Sequence, residues 1–339
     1  MFKMDRVINL DIPHVGEQIL ENIDTDGLLQ CFRVSRTWKT LAENVLVKRW
    51  KHETNFEPCI DGKAKIVELL LERLDDLDLW IWFNCTFYNG STPFMWACFE
   101  GHADVVKILL NHPRTKNINW NTGNAYGVTA FHGACDKGHT DVVRLLVEHS
   151  SSKNIDLNAR TEFEETGIMY ACEVGHQDVV QLLMDHPGSS RIDWNAKRNN
   201  GGTALTLASV EGKTDVVKLL LDHSESKNID LNAEKDGGFT AFMLACEKGH
   251  RDVVKVLLDH SDRKHIDLNT RTTNDGCTAF MLACGEGHQD VVKLLVCHSS
   301  SEGIDLNAKD NDGDTGFMRA CINECNDVVK MLLEYSEVR

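Results

Sequence analysis

From residue 90 to the C-terminus the apolar and polar positions recur in blocks of about 37 residues. Asp275 to His298 reads D-G-C-T-A-F-M-L-A-C-G-E-G-H-Q-D-V-V-K-L-L-V-C-H. The threonine near its start recurs at Thr92, Thr129, Thr166, Thr203, Thr240, Thr278 and Thr315, at spacings of 37, 37, 37, 37, 38 and 37. Each block predicts two short helices. The first follows T-A-F-M-x-A-C-x-x-G-H, with the threonine as N-cap and the glycine in a left-handed helix end. The second follows D-V-V-K-L-L-L-D-H, whose aspartate suits the first turn and whose apolar face needs a neighbour to cover it. A polar stretch comes next, then Ile-Asp-Leu-Asn, which alternates like a short strand, and an Asp-Gly or Asn-Gly turn closes most blocks. A fixed period of this size means stacked units that touch only their neighbours and together build one long surface.

Two stretches precede the repeats. Residues 61–84 read as a degraded leading half-repeat, with Ile66, Val67, Leu69, Leu70 and Leu71 on a helix and Leu79, Ile81 and Phe83 alternating after it. Such atypical ends normally cap a solenoid. Residues 12–50 place apolar residues at helical spacing in three short groups, Val15 to Ile23, Leu28 to Val34 and Trp38 to Leu46. A module this short rarely buries enough surface alone, so it packs on the repeats or offers its apolar face to a second protein. Pro58 and Gly62 mark the expected boundary between this module and the repeats.

The chain has 339 residues, 42% hydrophobic, and a net charge of −16. Residues 1–52 carry eight Lys/Arg against seven Asp/Glu, whereas residues 53–339 carry 28 against 45. The acidic repeats argue against a nucleic-acid partner and favour a neutral or basic protein. The first twelve residues lack an apolar signal-peptide core. Leu79 to Phe99 is uncharged, but Asn84, Thr86, Asn89, Gly90, Ser91, Thr92 and Pro93 interrupt it, so no membrane span is expected. Asn84-Cys85-Thr86 and Asn89-Gly90-Ser91 match glycosylation acceptors, which carry no meaning without secretion. The expectation is a soluble cytoplasmic or nuclear protein.

The repeat resembles the ankyrin repeat, through its T-P-L-H…G-H…L-L-L…D-V-N-A pattern. Here T-A-F-M replaces T-P-L-H, and Pro93 alone keeps the proline of that motif. The ankyrin unit is typically about 33 residues. The extra residues fall before segments such as Asn154-Ile155-Asp156-Leu157-Asn158, where they are expected to lengthen a loop. Unit three is eroded at its turn (Glu164-Glu165), unit four has Lys213 in the histidine slot, and unit seven reads Cys325-Asn326 in place of Gly-His.

Residues 12–50 resemble the F-box. Ile12-Pro13 stands for its opening Leu-Pro, Ile19, Leu20 and Ile23 for the first helix, and Leu28-Leu29 for the second. Val34-Ser35-Arg36-Thr37-Trp38 matches V-S-R-x-W and is followed by Leu41, with Leu46 and Trp50 in the trailing element. Pro13 to Ile19 is one residue shorter than usual, and Gly27 stands where the family often has Asp. The expected fold class is all-α, a three-helix F-box followed by a solenoid of helix pairs with short β-turn fingers. The expected domains are an F-box-like module at 1–52, a linker and capping half-repeat at 53–85, and seven repeats at 86–339. The resemblance implies a non-catalytic substrate receptor that docks on the Skp adaptor, and through it on a cullin scaffold, as a monomer outside the complex. Its adaptor contacts would be Ile12, Pro13, Ile19, Leu20, Ile23, Leu28, Leu29, Val34, Trp38 and Leu41. The other reading of the segment is a helical cap on an ankyrin scaffold or inhibitor.

Twelve cysteines and fifteen histidines suggest metal or thiol chemistry, and the period removes most of them. Cys98, Cys135, Cys172, Cys246, Cys284 and Cys321 share one slot and are expected as small buried packing residues. His102, His139, His176, His250 and His288 share the Gly-His slot. His112, His149, His186, His223, His260 and His298 share the end of the second helix, where a cation favours the last carbonyls. The remaining cysteines, Cys31, Cys59, Cys85, Cys277, Cys297 and Cys325, form no C-x-x-C pair and read as reduced thiols. No phosphate loop, zinc-protease or nucleophile-elbow motif is present, and no cofactor or metal is expected.

In the ankyrin pattern the binding surface is built from the turn tips and the first helix. The two residues before Gly-His vary from unit to unit while their neighbours are nearly fixed, which separates surface from scaffold. The residue after the turn glycine varies too, and Phe99 in the first set, Phe239 in the second and Tyr170 are candidate apolar anchors. Glu100, Glu173, Glu211, Glu247 and Glu286 are a candidate acidic lining, with Lys137 and Lys248 beside them.

Overall fold

The computed structural model describes Leu28 and residues 36–52, 57–86, 89–116 and 118–337. The chain falls into two compact units, residues 1–125 and 126–339. The described residues are helical apart from turns and an isolated bridge between Lys235 and Phe239. The expected Ile-Asp-Leu-Asn strands do not form there. Ile155 and Leu157 are buried and Asp156 is exposed, so the alternation is real, but Leu157 and Asn158 already form a turn, with the Asn158 N–H on Asp156 Oδ1 at 2.9 Å.

The described helices of the first unit from Arg36 on are α1 (Arg36–His52), α2 (Glu57–Ile60), α3 (Ala64–Arg73), α4 (Asp76–Asn84), α5 (Pro93–Phe99) and α6 (Ala103–Asn111). Helices α2 and α3 form a helix pair of the repeat type. Gly62 takes a positive φ, and the Lys63 N–H bonds Pro58 O at 2.8 Å, as the His102 N–H bonds Ala97 O at 2.9 Å one repeat later. Cys59 is buried, the counterpart of Cys98. Pro58 and Gly62 therefore lie inside a repeat and do not mark a linker. Leu79 to Phe83 is also helical. Asp75 caps α4 by accepting from the Asp78 N–H at 2.8 Å, and acids in the first turn favour the helix dipole. Helix α1 packs on α3, with Leu41, Ala42, Val45 and Leu46 buried and Glu43 accepting from Arg73 at 2.6 Å.

The second unit stacks six helix pairs. They are α7 (Ala130–Asp136) with α8 (Thr140–Lys153), α9 (Gly167–Val174) with α10 (Gln177–Asp185), and α11 (Ala204–Val210) with α12 (Thr214–Asp222) and the short α13 (Ser224–Lys227). They continue with α14 (Ala241–Glu247) and α15 (Arg251–Lys264), α16 (Ala279–Gly285) and α17 (Gln289–Glu302), and α18 (Gly316–Ile322) and α19 (Asn326–Glu337). First helices pack on first helices, and second on second. The Val-Val-x-x-Leu-Leu stripe is what they bury; Val142, Val143, Leu146 and Val147 are sealed in the core. Burying each such side chain contributes about 1.5–3 kcal/mol.

Three sets of polar bonds join neighbouring repeats. The Gly-His histidines donate backwards, Nε2 of His176 to Asp136 O, His250 to Val210 O and His288 to Glu247 O, each at 2.7 Å. In the first unit His102 does the same to Ile60 O at 2.5 Å. The second set is an asparagine ladder. The Asn232 amide donates to His265 O at 2.9 Å and accepts from the Asp267 N–H at 2.8 Å. Asn158, Asn195 and Asn269 repeat this pair of bonds. The third set links turn tips, as from the Glu162 N–H to Tyr126 O at 3.0 Å and from the Asn199 N–H to Phe163 O at 3.1 Å.

Several sequence expectations need correction. The residues beyond the usual ankyrin period do not lengthen a loop. Where serine follows the terminal histidine, as at Ser150, Ser261 and Ser299, they continue the second helix to 14 residues. His149, His260 and His298 then turn Nδ1 to the carbonyl four residues back. Where proline follows, the helix stops and a 3₁₀ turn forms at Pro113–Thr115 and Pro187–Ser189. In unit seven the Gly-His slot is Glu324-Cys325, not Cys325-Asn326. Glu324 takes the positive φ of 58° and the Cys325 Sγ meets Gly285 O at 3.4 Å. Cys321 is exposed, unlike Cys98, Cys135, Cys172, Cys246 and Cys284, whose thiols burial pushes up in pKa.

Candidate protein-binding surface

The turns that precede the first helices share one construction. The residue opening the turn donates its N–H to the residue closing it, Thr161 to Glu165, Arg198 to Gly202, Lys235 to Phe239, Thr272 to Cys277 and Asp310 to Asp314, at 2.9 to 3.0 Å. The opening side chain decides what the turn displays. Thr161, Thr272 and Asp310 fold back on backbone N–H groups inside the turn. Asp310 also meets Arg319 at 2.5 Å; burial alone would raise its pKa, but the guanidinium and the turn N–H groups hold it below the usual carboxylate value. Arg198 instead sends its cation to Glu173 of the first helix, and Lys235 sets its ammonium over the ring of the turn-closing Phe239.

Arg198 organises the one cluster that the predicted residues join. Its Nη1 lies 3.3 Å from Glu165 Oε1 and 3.7 Å from Glu173 Oε1, and its Nε donates to Asn200 at 2.9 Å. The Tyr170 hydroxyl donates to Glu165 Oε2 at 2.9 Å, and its ring meets that of His132 edge-on at 5.8 Å. Burial, then the Glu165 hydrogen bond, pushes the Tyr170 phenol up in pKa. Burial raises Glu173 too; Arg198 opposes the rise, while Glu165, Glu211 and Asp136 add to it. His132 is buried, bonded to Thr129 Oγ1 at 2.8 Å and Glu165 O at 3.1 Å, and desolvation lowers its pKa.

The other predicted substrate residues do not converge on this cluster. Phe239 is half-buried, with the Lys235 ammonium 5.6 Å from its ring centre. Lys137 pairs with Asp136 at 3.0 Å and Lys248 with Glu247 at 3.7 Å, so the lining is partly neutralised in place. Glu211 and Glu286 are exposed, with no ion pair among the described residues. In the first unit Glu100 is exposed, and half-buried Phe99 packs edge-on against Trp96 at 5.6 Å. Arg198 and Glu165, which hold the cluster together, were not singled out from the sequence. Nor were Tyr126 and Phe163, both more than half exposed at neighbouring turn tips. The signal was available: other units place Asn, Gly or Asp at that tip, as in Asn89, Asn200, Gly237, Asp275 and Asp312.

Of the ten predicted adaptor contacts, only Leu28 and Leu41 have described side chains. They are 0% and 6% exposed. The structure places both in the interior, so neither offers a docking surface. Ile12, Pro13, Ile19, Leu20, Ile23, Leu29 and Val34 lie outside the described residues, as does the Trp38 side chain.

A family model for ankyrin repeats in three copies matches residues 58–161, 152–233, 227–310 and 263–339. The chain belongs to the ankyrin-repeat family. The match begins at Pro58, in agreement with the helix pair α2–α3. Among solved structures, the ankyrin repeat domain of Bcl-3, described as a unique member of the IkappaB protein family, is similar to this chain. It aligns over 72% of this chain and 99% of its own, at 26% identity and a TM-score of 0.58. No curated protein matches the sequence. The ankyrin stack is a scaffold for protein–protein interaction. No helix among the described residues is long and apolar enough to cross a membrane, and none of their His, Cys, Asp and Glu side chains group to hold a metal ion.

Proposed function

We propose that this ankyrin-repeat protein is the substrate-recognition subunit of a cullin-type ubiquitin ligase. The observation that carries the reading is the sequence Val34-Ser35-Arg36-Thr37-Trp38, set behind Ile19-Leu20 at the F-box distance and leading into α1. Such a receptor does no chemistry. It holds a protein so that a lysine lies near the charged conjugating enzyme, which is catalysis by proximity. Packing of the segment on the leading repeat within the first unit supports the role. Helix α1 is packed on α3, with Arg73 and Glu43 paired at 2.6 Å. The substrate would meet the turn tips and first helices, with Tyr126 and Phe163 as aromatic anchors and the Tyr170, Glu173, Glu165 and Arg198 cluster beside them. Phe239, Glu211, Glu247, Lys248, Glu286 and Lys137 remain part of that proposed surface in the second unit, and Phe99 and Glu100 remain proposed contacts of the first unit.

A second reading is favoured by the burial of Leu28, Leu41, Val45 and Leu46. On it, residues 1–52 cap the first unit and the protein is a plain ankyrin scaffold or inhibitor. Co-purification with the Skp adaptor separates the two. The receptor reading expects binding that is lost in the Leu20→Ala, Trp38→Ala double variant. Truncation of residues 1–52, which spares the helix pair α2–α3, adds a second measure. If the remaining repeats keep cooperative unfolding and lose only the adaptor, the receptor reading stands. If cooperativity is lost and no adaptor binds the intact chain, the cap reading replaces it.

A further inference from the structure

Helix α4 occupies the place where later repeats carry Ile-Asp-Leu-Asn, and it carries large apolar residues on its exposed face as well as on its buried one. Leu79, Trp82 and Phe83 are buried. Leu77, Trp80 and Ile81 are 67%, 58% and 44% exposed. The spacing of these three is i, i+3 and i+4, so they form one ridge along the helix. Beside the ridge lies a cavity of about 240 Å³, walled by Leu79, Trp80 and Phe83 and by Pro113 and Ile118 across from them. Scattered exposed apolar residues need no explanation, but a ridge next to a preformed cavity with one apolar wall and a polar rim does.

The polar rim of the cavity says what could fill it. It consists of Asp76, Asn84, Arg114 and Lys116. Arg114 bonds Asp76 at 2.8 Å and Leu71 O at 2.6 Å, so the Asp76 charge is already offset and the guanidinium is fixed. Lys116 is exposed and has no ion pair among the described residues. The charge left open at this rim is therefore positive, on a chain of net charge −16. A carboxylate complements it. No strand among the described residues of the first unit offers an edge for an extended peptide, whereas a ridge beside a hollow matches the anchors of a helix at i, i+3 or i+4, and i+7.

We propose that the Leu77, Trp80 and Ile81 ridge and its cavity are a docking face for an amphipathic helix of a partner protein, which inserts one large apolar side chain and sets a carboxylate against Lys116. None of these residues belongs to the proposed adaptor or substrate contacts, so the face stands or falls independently of the ligase reading.

Two stapled helical peptides test it against the full chain by fluorescence anisotropy. Both carry Leu, Trp and Leu at i, i+3 and i+7. One has Glu and the other Lys at i+6, one turn beyond the Trp. The Glu peptide is expected to bind saturably, and the Lys peptide about tenfold more weakly. Trp80→Ala should weaken the Glu peptide by about tenfold or more, and Lys116→Glu should invert the preference between the two. Thermal melts should match wild type, since Trp80 and Lys116 are exposed. Equal binding of the two peptides, undiminished binding to Trp80→Ala, or no saturable binding of either overturns the proposal. Self-association of the chain that Trp80→Ala abolishes, without peptide binding, would overturn it as well by assigning the face to a second copy.

Discussion

The leading helix pair α2–α3 and the pairs of the second unit are written in the same block, yet they end differently. After α8, α10, α12 and α15 the chain runs through Ile-Asp-Leu-Asn or Ile-Asp-Trp-Asn, and the asparagine bonds the next repeat twice. After α3 that segment is absent and α4 takes its place, with an apolar ridge in solvent. The difference teaches how this solenoid divides its labour. Where the period holds, backbone groups left over by short helices are met by side chains from the adjoining repeat, and the Val-Val-x-x-Leu-Leu residues of α8, α10, α12 and α15 stay inside. Where it breaks, the asparagine gives way to Arg114, which reaches back to Leu71 O and Asp76, and the apolar surface of α4 becomes available to something else.

Cutting into the regular half should have the largest effect. Phe242 is buried at the centre of the second unit. Phe242→Ala is expected to destabilise by about 3–5 kcal/mol, through lost burial and the cavity left behind. Urea unfolding followed by circular dichroism would show it as a lowered midpoint. A cost under about 1 kcal/mol would mean that the stack relaxes around the gap, contrary to close packing.

The ladder comes next in size. Asn232→Ala removes both inter-repeat bonds and is expected to cost about 1–2 kcal/mol. Asn232→Asp keeps the acceptor for the Asp267 N–H but loses the donor to His265 O, and should fall between wild type and Ala. Equal stability of all three would reduce the ladder to decoration. If Ala alone is costly while Asp is neutral, only the acceptor half matters.

A pH titration sharpens the same contrast. His132 is neutral in the folded chain because burial lowers its pKa below the ordinary 6.5. The unfolded chain therefore takes up a proton first as the pH falls. Stability should be full above about pH 6.5 and decline from there toward the lower folded pKa. His132→Gln should flatten the wild-type slope between pH 7.5 and 5.5, as read from urea midpoints. An unchanged slope would place the titration elsewhere.

What could be read from the sequence follows the same division. The seven threonines, the Gly-His slot and the Val-Val-x-x-Leu-Leu stripe are legible because one structural demand is stated seven times over. The Thr caps are seen as expected at Thr92, Thr203, Thr240, Thr278 and Thr315, whereas Thr166 keeps a buried hydroxyl with no partner. Helix α4 was misread because Leu79-Trp80-Ile81-Trp82-Phe83 is apolar throughout, and a continuous run satisfies a period of two as well as a helix does. The capping Asp75 and the first-turn acids Asp76 and Asp78 were the better signal. The Arg198 cluster was hidden for a different reason. Arg198 and Glu165 are 33 residues apart and meet only because two turns stack, so neither residue carries a local mark of the pairing.

The smallest effect is expected where the surface is most unusual. Leu77 and Trp80 would be core residues by composition, and in the second unit truncating a residue of that size is costly. On α4 they are exposed, so folding gains little from them. Leu77→Ala and Trp80→Ala should each change stability by no more than about 0.5 kcal/mol, measured by the same urea titration. Ala also has the higher helix propensity, which offsets part of any loss. Trp80 is the more demanding case because it walls the cavity, and truncating it enlarges a space already open to water. A destabilisation above about 1.5 kcal/mol in either variant would show that the ridge packs within the chain in solution, and would take from it the freedom to receive a partner. A near-zero change leaves two large apolar side chains that stability does not explain, which is the condition a docking face must meet.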